Sequence, residues 1–365
     1  MAFKLSSARL ASIGKLAAIG RRAIVSLSQR KWVRAPLTQG VGAALLLAIA
    51  LYGWLSLEAR KTYSALDAAN PPAIAMLEVQ PAAAEAVTPK DETPEAAPVP
   101  AGSNPDLIEQ TQAGPLPRIG TDGTAPWRAY AQSSDVPKNK PRIAILVNGL
   151  GVSAPLDRRA VRELPEAVTL GVLAFAERIV PVIADARAEG HEVVLSAPME
   201  PDDYPANDPG PDALLIKADD NVARLDRNLA RGGAYVGVAP FMGSRFTASP
   251  EPLRPVLAEL AGRGLLYIDT GSAAFGAAPA IARAIGAPIA VADRTIDRMP
   301  DAALIDKELS DLESLARRKG WALGVASPYP VTFDRLAAWS ATLEAKGIAL
   351  VPVSAVAQTP RSSGS

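Results

Sequence analysis

Six times between residues 190 and 347 the sequence pairs an amphipathic stretch with a glycine and then a short apolar run. The glycines are Gly190, Gly232, Gly264, Gly286, Gly320 and Gly347. The apolar runs occupy 143–147, 168–175, 193–197, 235–239, 265–269, 289–292, 321–326 and 348–353. Glycine just past a helix end takes the left-handed cap without a Cβ penalty, and a strand then follows within a residue or two. The repeated order helix, glycine, strand predicts βα units on a mainly parallel sheet. Seven or eight units in about 220 residues fit a closed or nearly closed (β/α)7-8 barrel. A doubly wound open sheet is the alternative. Both architectures place ligands at the C-terminal ends of the strands.

Composition narrows the chemistry. The chain of 365 residues has one histidine, His191, and no cysteine. Disulfides and thiol catalysis are therefore excluded, and so is a multi-histidine metal centre within one chain. Lys and Arg number 38 and so do Asp and Glu, which gives no argument for nucleic acid. Residues 1–57 nevertheless hold eight basic side chains and no acid, and no charge falls between Arg34 and Glu58. Residues 35–57 form an apolar stretch that as a helix reaches about 34 Å, enough for a bilayer core. The basic side before it predicts a cytoplasmic N-terminus, with the rest of the chain on the far side of a bacterial inner membrane. A cleaved signal peptide, a mitochondrial presequence and a buried helix are the rival readings.

The organisation expected is a basic segment at 1–34, a transmembrane helix at 35–57, a disordered Pro- and Ala-rich stalk at 58–138, a domain at 139–357 and a disordered tail at 358–365. The stalk has no sustained apolar period, so it cannot bury enough surface to offset chain entropy.

The strand ends carry Asn148 and Gly149, Ser196, Phe241, Asp269, and Ser327 with Tyr329. Around them stand Pro198-Met199-Glu200-Pro201, Pro209-Gly210-Pro211 with Ala213-Leu214-Leu215, and Met242-Gly243-Ser244-Arg245-Phe246-Thr247. Pro328-Tyr329-Pro330 and Val351-Pro352-Val353-Ser354 follow. In this order the stretches resemble the divergent polysaccharide deacetylases, relatives of the NodB-type carbohydrate esterases, over about residues 141–356. The resemblance implies a NodB-like incomplete β/α barrel. It also implies an ancestral removal of acetyl groups from sugars with a bound zinc or other divalent metal.

The departures from that pattern fall on the chemistry. Where the family reads Asp-Asp in its first motif, this chain has Asn148 and Gly149. Ser196 stands where the family has a histidine two residues before Pro-Met-Glu-Pro. Phe241 closes the triplet that the family writes Asn-Asn-His, and Ser327 replaces a histidine before Pro-Tyr-Pro. No bound cofactor is expected with those positions substituted, unless the family chemistry is retained with zinc or another divalent metal; without the metal nothing else in these motifs generates the nucleophile.

Glu200 and Asp269 survive as carboxylates. They read either as an oxygen-only cation site or acid/base pair, or as a hydrogen-bonded structural acid and a strand-end cap; two carboxylates are too few for a firm cation site. Arg245 either grips an anion or sugar, or pairs with Glu200 or Asp269. Ser244 reads as a turn residue and, beside Arg245, as a candidate for ligand binding. Tyr329 stacks on a sugar or packs. His191, at the opposite end of a barrel strand, reads as structural. The pairs Arg158-Arg159 and Arg317-Arg318 read as solvated helix faces. The leading expectation is a membrane-anchored domain of the cell envelope, non-catalytic or weakly catalytic, binding a glycan or partner protein through the old cleft. The alternatives are an esterase using Glu200, Asp269 and Arg245, and a structural module whose cleft Phe241 fills.

Overall fold

The structure, a computed structural model, describes residues 102–137 and 139–359. Among them no helix is long and apolar enough to cross a membrane. The segment expected to do so, 35–57, lies outside the described residues, as do 1–34 and 58–101.

After a short 3-10 turn, β1 (Ile108–Thr111) and β2 (Gly114–Pro117) form an antiparallel hairpin, followed by the one-turn α1 (Pro126–Ala129). The body then alternates β3 (Arg142–Leu150), α2 (Ala154–Glu163), β4 (Thr169–Leu173), α3 (Ile179–Ala188) and β5 (Val193–Met199). It continues with α4 (Asn221–Leu229), β6 (Gly237–Met242), α5 (Ser244–Thr247), α6 (Pro250–Gly262), β7 (Leu266–Asp269) and α7 (Ala278–Ile285). The last elements are β8 (Ile289–Val291), β9 (Arg294–Thr295), α8 (Ala302–Lys319), β10 (Trp321–Ala326), α9 (Pro330–Ser340) and β11 (Ala349–Val351).

Every pairing in the main sheet is parallel, in the order β8-β7-β6-β5-β4-β3-β10-β9, with β11 added beside β3. The two ends of that order, β8 and β9, are separated in the chain only by Ala292 and Asp293. The amide of Ala292 donates to Asp269 and that of Asp293 to Leu323, which carries the chain from β7 across to β10 and curls the sheet. The eight anticipated runs are all strands. β9 was not anticipated, because two residues bearing Arg and Thr have no apolar run to betray them.

Period-two alternation divides the core. Ile143, Ile145 and Val147 of β3 pack outward against the helices, while Ala144 and Leu146 join the inner cluster with Val194, Leu266, Ile268 and Leu323. Five of the anticipated glycines take positive φ, for example 70° at Gly286 and 87° at Gly320. Gly232 does not; a Cβ there would stand 2.9 Å from Ile183 Cδ1, so it is close packing that favours glycine at this site.

The expected disordered stalk does not extend through 102–137. Leu107 and Tyr130 bury into the inner cluster and Leu116 into the outer one. The tying contacts are Trp127 N to Gly264 O at 3.1 Å and Arg187 Nη1 to Tyr130 O at 2.8 Å. Arg263 pairs with Glu109 of the hairpin and Asp226 of α4. The segment orders because the N-terminal end of the curled sheet offers it apolar surface, which its own sequence lacks. Gln358, expected in a loose tail, exchanges two backbone hydrogen bonds with Ile289 at 2.8 and 2.9 Å.

At this end of the sheet His191 is buried, its ring nitrogens 2.9 Å from Val168 O and 3.0 Å from Val161 O. Beside it Glu192 is wholly buried and accepts from Thr169 Oγ1, Ser354 N and Oγ, and Gln132 N. Burial pushes its carboxyl pKa up, against the pull of those donors. The folded state therefore binds a proton that the unfolded chain has released, and stability falls as pH rises from the ordinary carboxylate range to the folded pKa. Glu192→Gln is expected to reduce that fall. Urea midpoints measured at several values between about pH 4 and 8 check it; identical slopes for both proteins refute it.

Candidate functional site

At the C-terminal ends of the strands lies an open cleft of about 350 Å³. One wall is the turn after β3 with the start of α2, including Val152, Ser153 and Leu156; the other is the turn after β10, with Ser327, Pro328 and Tyr329. Asn148, Gly149, Asp157 and Phe241 also line it; Asp157 is buried, accepts from Gly151 N at 2.8 Å, and burial pushes its carboxyl pKa up. Val152 is 78% exposed and Tyr329 43%, so the lips are apolar and open to solvent. Phe241 meets Phe175 edge to face with ring centroids 6.0 Å apart. It lines the cleft without filling it, which removes the reading of a collapsed site.

The polar floor is bonded to itself. Ser196 Oγ donates to Asn148 Oδ1 at 2.6 Å, and Asn148 Nδ2 donates to Pro240 O at 3.0 Å. One side chain thus ties β3 to β5 and β6. Gly171 of β4, level with Asn148, makes room: a Cβ there would stand 2.4 Å from Asn148 Oδ1 and 2.9 Å from Ser196 Oγ. Gly171 was not singled out in the sequence, where nothing marks a glycine in a strand as the space for a neighbour's side chain.

Glu200 and Arg245 are brought together, and Asp269 is not joined to either. Glu200 is 5% exposed. Its Oε2 accepts from Ile216 N at 2.7 Å and its Oε1 from Arg245 Nη1 at 3.0 Å, while its carbonyl accepts from the amides of Arg245 and Phe246. The residue clamps the loop after β5 to α5. Ser244, at the start of α5, accepts from Asp202 N at 3.0 Å. Asp269, also buried, accepts from Gly271 N at 3.0 Å, and burial pushes its carboxyl pKa up. Neither acid lines the cleft.

Sequence reasoning missed two residues behind the Tyr329 wall. Asp297 is 3% exposed, and its Oδ2 accepts from Ser327 N at 2.7 Å and Thr332 Oγ1 at 2.8 Å. Its Oδ1 is buried without a hydrogen-bond partner, and burial pushes its pKa up. Arg159 is not a merely solvated face. It pairs with Glu163 and Asp334, donates to Pro330 O at 3.3 Å, and lies 5.7 Å from the Phe333 ring centroid. The only sequence signal for Asp297 is a carboxylate two residues past a strand too short to recognise.

The residues present do not fit a divalent metal of the deacetylase kind. Asn148 spends its carbonyl on Ser196, Ser196 offers a neutral hydroxyl already donating, Gly149 has no side chain and Phe241 no donor. Among the described residues no three His, Cys, Asp or Glu side chains gather as a ligand set.

A curled parallel sheet with its open cleft at the strand ends defines an α/β domain built as an incomplete β/α barrel. The chain belongs to the divergent polysaccharide deacetylase family, whose pattern it matches over residues 145–357. It is similar to the solved structure of an uncharacterized protein from Agrobacterium tumefaciens, with 41% identity, a TM-score of 0.64, and coverage of 66% of this chain and 98% of that one. It is also similar to the uncharacterized protein YibQ of Escherichia coli, 26% identical over 197 residues. That match takes in 52% of this chain and spans 60% of the relative's length. The catalytic domain of peptidoglycan N-acetylglucosamine deacetylase from Eubacterium rectale aligns at 11% identity and a TM-score of 0.39, over 64% of this chain and 97% of that one.

Proposed function

We propose that this protein is a binding module of the cell envelope that keeps the deacetylase frame without its hydrolytic chemistry and takes a glycan in the cleft at the strand ends. The observation that carries the reading is the floor, where Asn148, Ser196 and the Pro240 carbonyl satisfy one another in the place of metal ligands. A sugar ring stacks its C–H face on the exposed Tyr329 ring, with Val152 and Phe241 flanking and the Ser153 hydroxyl within the same cleft. Glu200 and Asp269 do not reach the cleft, and Asp157, the one carboxylate in its lining, accepts from the amide of Gly151 at 2.8 Å as the cap of the turn after β3.

Full-length protein titrated calorimetrically with a β-1,4-linked N-acetylglucosamine tetramer tests this. Saturable binding is expected, weakened about tenfold by Tyr329→Ala, as the loss of one aromatic contact implies. Zinc-dependent release of acetate from the same tetramer overturns the non-catalytic half of the reading. A tetramer that binds wild type and Tyr329→Ala equally overturns the placement in the cleft.

The envelope location rests on the basic segment and apolar stretch at 1–57. Protease added outside spheroplasts is expected to digest the domain at 139–357. Digestion only after lysis refutes the orientation.

A further inference from the structure

We propose that Asp297 is the positioning residue of the cleft: from behind the wall it holds the turn at 327–329 so that the Tyr329 ring stands where a ligand can lie on it. This rests on the reading that the cleft is the binding site.

The geometry is a strap across the turn. A single carboxylate oxygen of Asp297 accepts from Ser327 N at 2.7 Å and from Thr332 Oγ1 at 2.8 Å, the two ends of a six-residue span that contains Tyr329. Thr332 is wholly buried, so the strap is anchored in the core, while Tyr329 is 43% exposed. The turn closes on itself through Tyr329 N to Ser327 O at 2.8 Å. From outside, Arg159 of α2 donates to Pro330 O at 3.3 Å and pairs with Asp334 of α9. Since α2 begins in the opposite wall, at Ser153 and Leu156, Arg159 ties the two walls together while Asp297 sets the height of one. The other oxygen of Asp297 is buried without a partner. Burying an unused acceptor works against the fold, so the carboxylate is kept at a cost, beside the one loop that shapes the cleft. Asp297 touches no ligand; it acts through Tyr329.

The test is a double-variant cycle on the full-length protein, reading the dissociation constant of the N-acetylglucosamine tetramer by calorimetry. Asp297→Ala is expected to weaken binding about tenfold, the same as losing the ring it positions. In a Tyr329→Ala background it is expected to add nothing, because the ring through which it acts is gone. Asp297→Asn keeps one acceptor oxygen and is expected to bind within about twofold of wild type. Leu260→Ala, a buried α6 residue away from the cleft, supplies a destabilised control with unchanged affinity. Wild-type affinity in Asp297→Ala, or a further loss in the double variant, overturns the proposal.

If wild type itself fails to bind the tetramer, the binding reading falls separately, and amide hydrogen exchange then decides the positioning. Faster exchange at Ser327 in Asp297→Ala, with 149–156 unchanged, upholds the strap. Unchanged exchange at Ser327 overturns it.

Discussion

Gly171→Ala is expected to destabilise the domain by about 3–4 kcal/mol, the sum of an overpacked strand and the broken hydrogen bonds of the cleft floor. The added methyl would meet Asn148 Oδ1 at 2.4 Å, Ser196 Oγ at 2.9 Å and the backbone Cα of Asn148 at 3.1 Å. The side chain of Asn148 alone cannot yield, because β3 itself blocks the methyl and Asn148 pairs directly with Gly171 across β3 and β4. If Asn148 swings away, Ser196 loses its acceptor and Pro240 O its donor, inside a site where Ser196 is wholly buried. Urea unfolding reads the loss. A change below about 1 kcal/mol means that the floor is looser than its distances indicate. Affinity for the N-acetylglucosamine tetramer is expected to fall as well, since Phe241 follows directly on Pro240.

Glu200→Ala is expected to cost about 2 kcal/mol of stability, through a partly buried backbone donor left unpaired and a broken, half-exposed ion pair. The amide of Ile216 loses its acceptor at 2.7 Å, and Arg245 its partner at 3.0 Å. The Arg245 half is worth less than a buried pair, because that side chain is 47% exposed and water screens it. The Ile216 half dominates. This result separates the clamp from a catalytic acid. A catalytic Glu200 would lose turnover on substitution while thermal stability held. A clamp loses stability. Unchanged stability in Glu200→Ala would favour the esterase alternative.

The barrel was legible because parallel strands buried on both faces read as continuous apolar runs. All eight runs became strands, and the glycines marked where helices stop. What lay outside that signal was missed for a physical reason in each case. β9 is too short to show a period. The hairpin at Ile108–Thr111 and Gly114–Pro117 contains prolines and a glycine that argue against a strand. It exists because Leu107, Leu116 and Tyr130 find a core that residues 139–359 provide. The site divides similarly. The substitutions at Asn148, Gly149, Ser196, Phe241 and Ser327 are plain in the sequence. That Asn148 would bridge β5 and β6, or that Asp297 would brace Ser327, depends on residues 92 and 30 positions apart along the chain.

The sequence by itself determined the βα repeat, the family to which the repeat belongs, and the loss of imidazole and thiolate from the chemistry. Those are properties of residue identity and spacing, and no conformation alters them. Only the tertiary structure decided that Glu200 clamps a loop instead of facing the cleft, that the floor is closed by its own hydrogen bonds, and that 102–137 folds onto the barrel. A hydrogen bond needs its donor within about 3 Å of its acceptor; for distant residues that proximity comes from the packing of the whole chain.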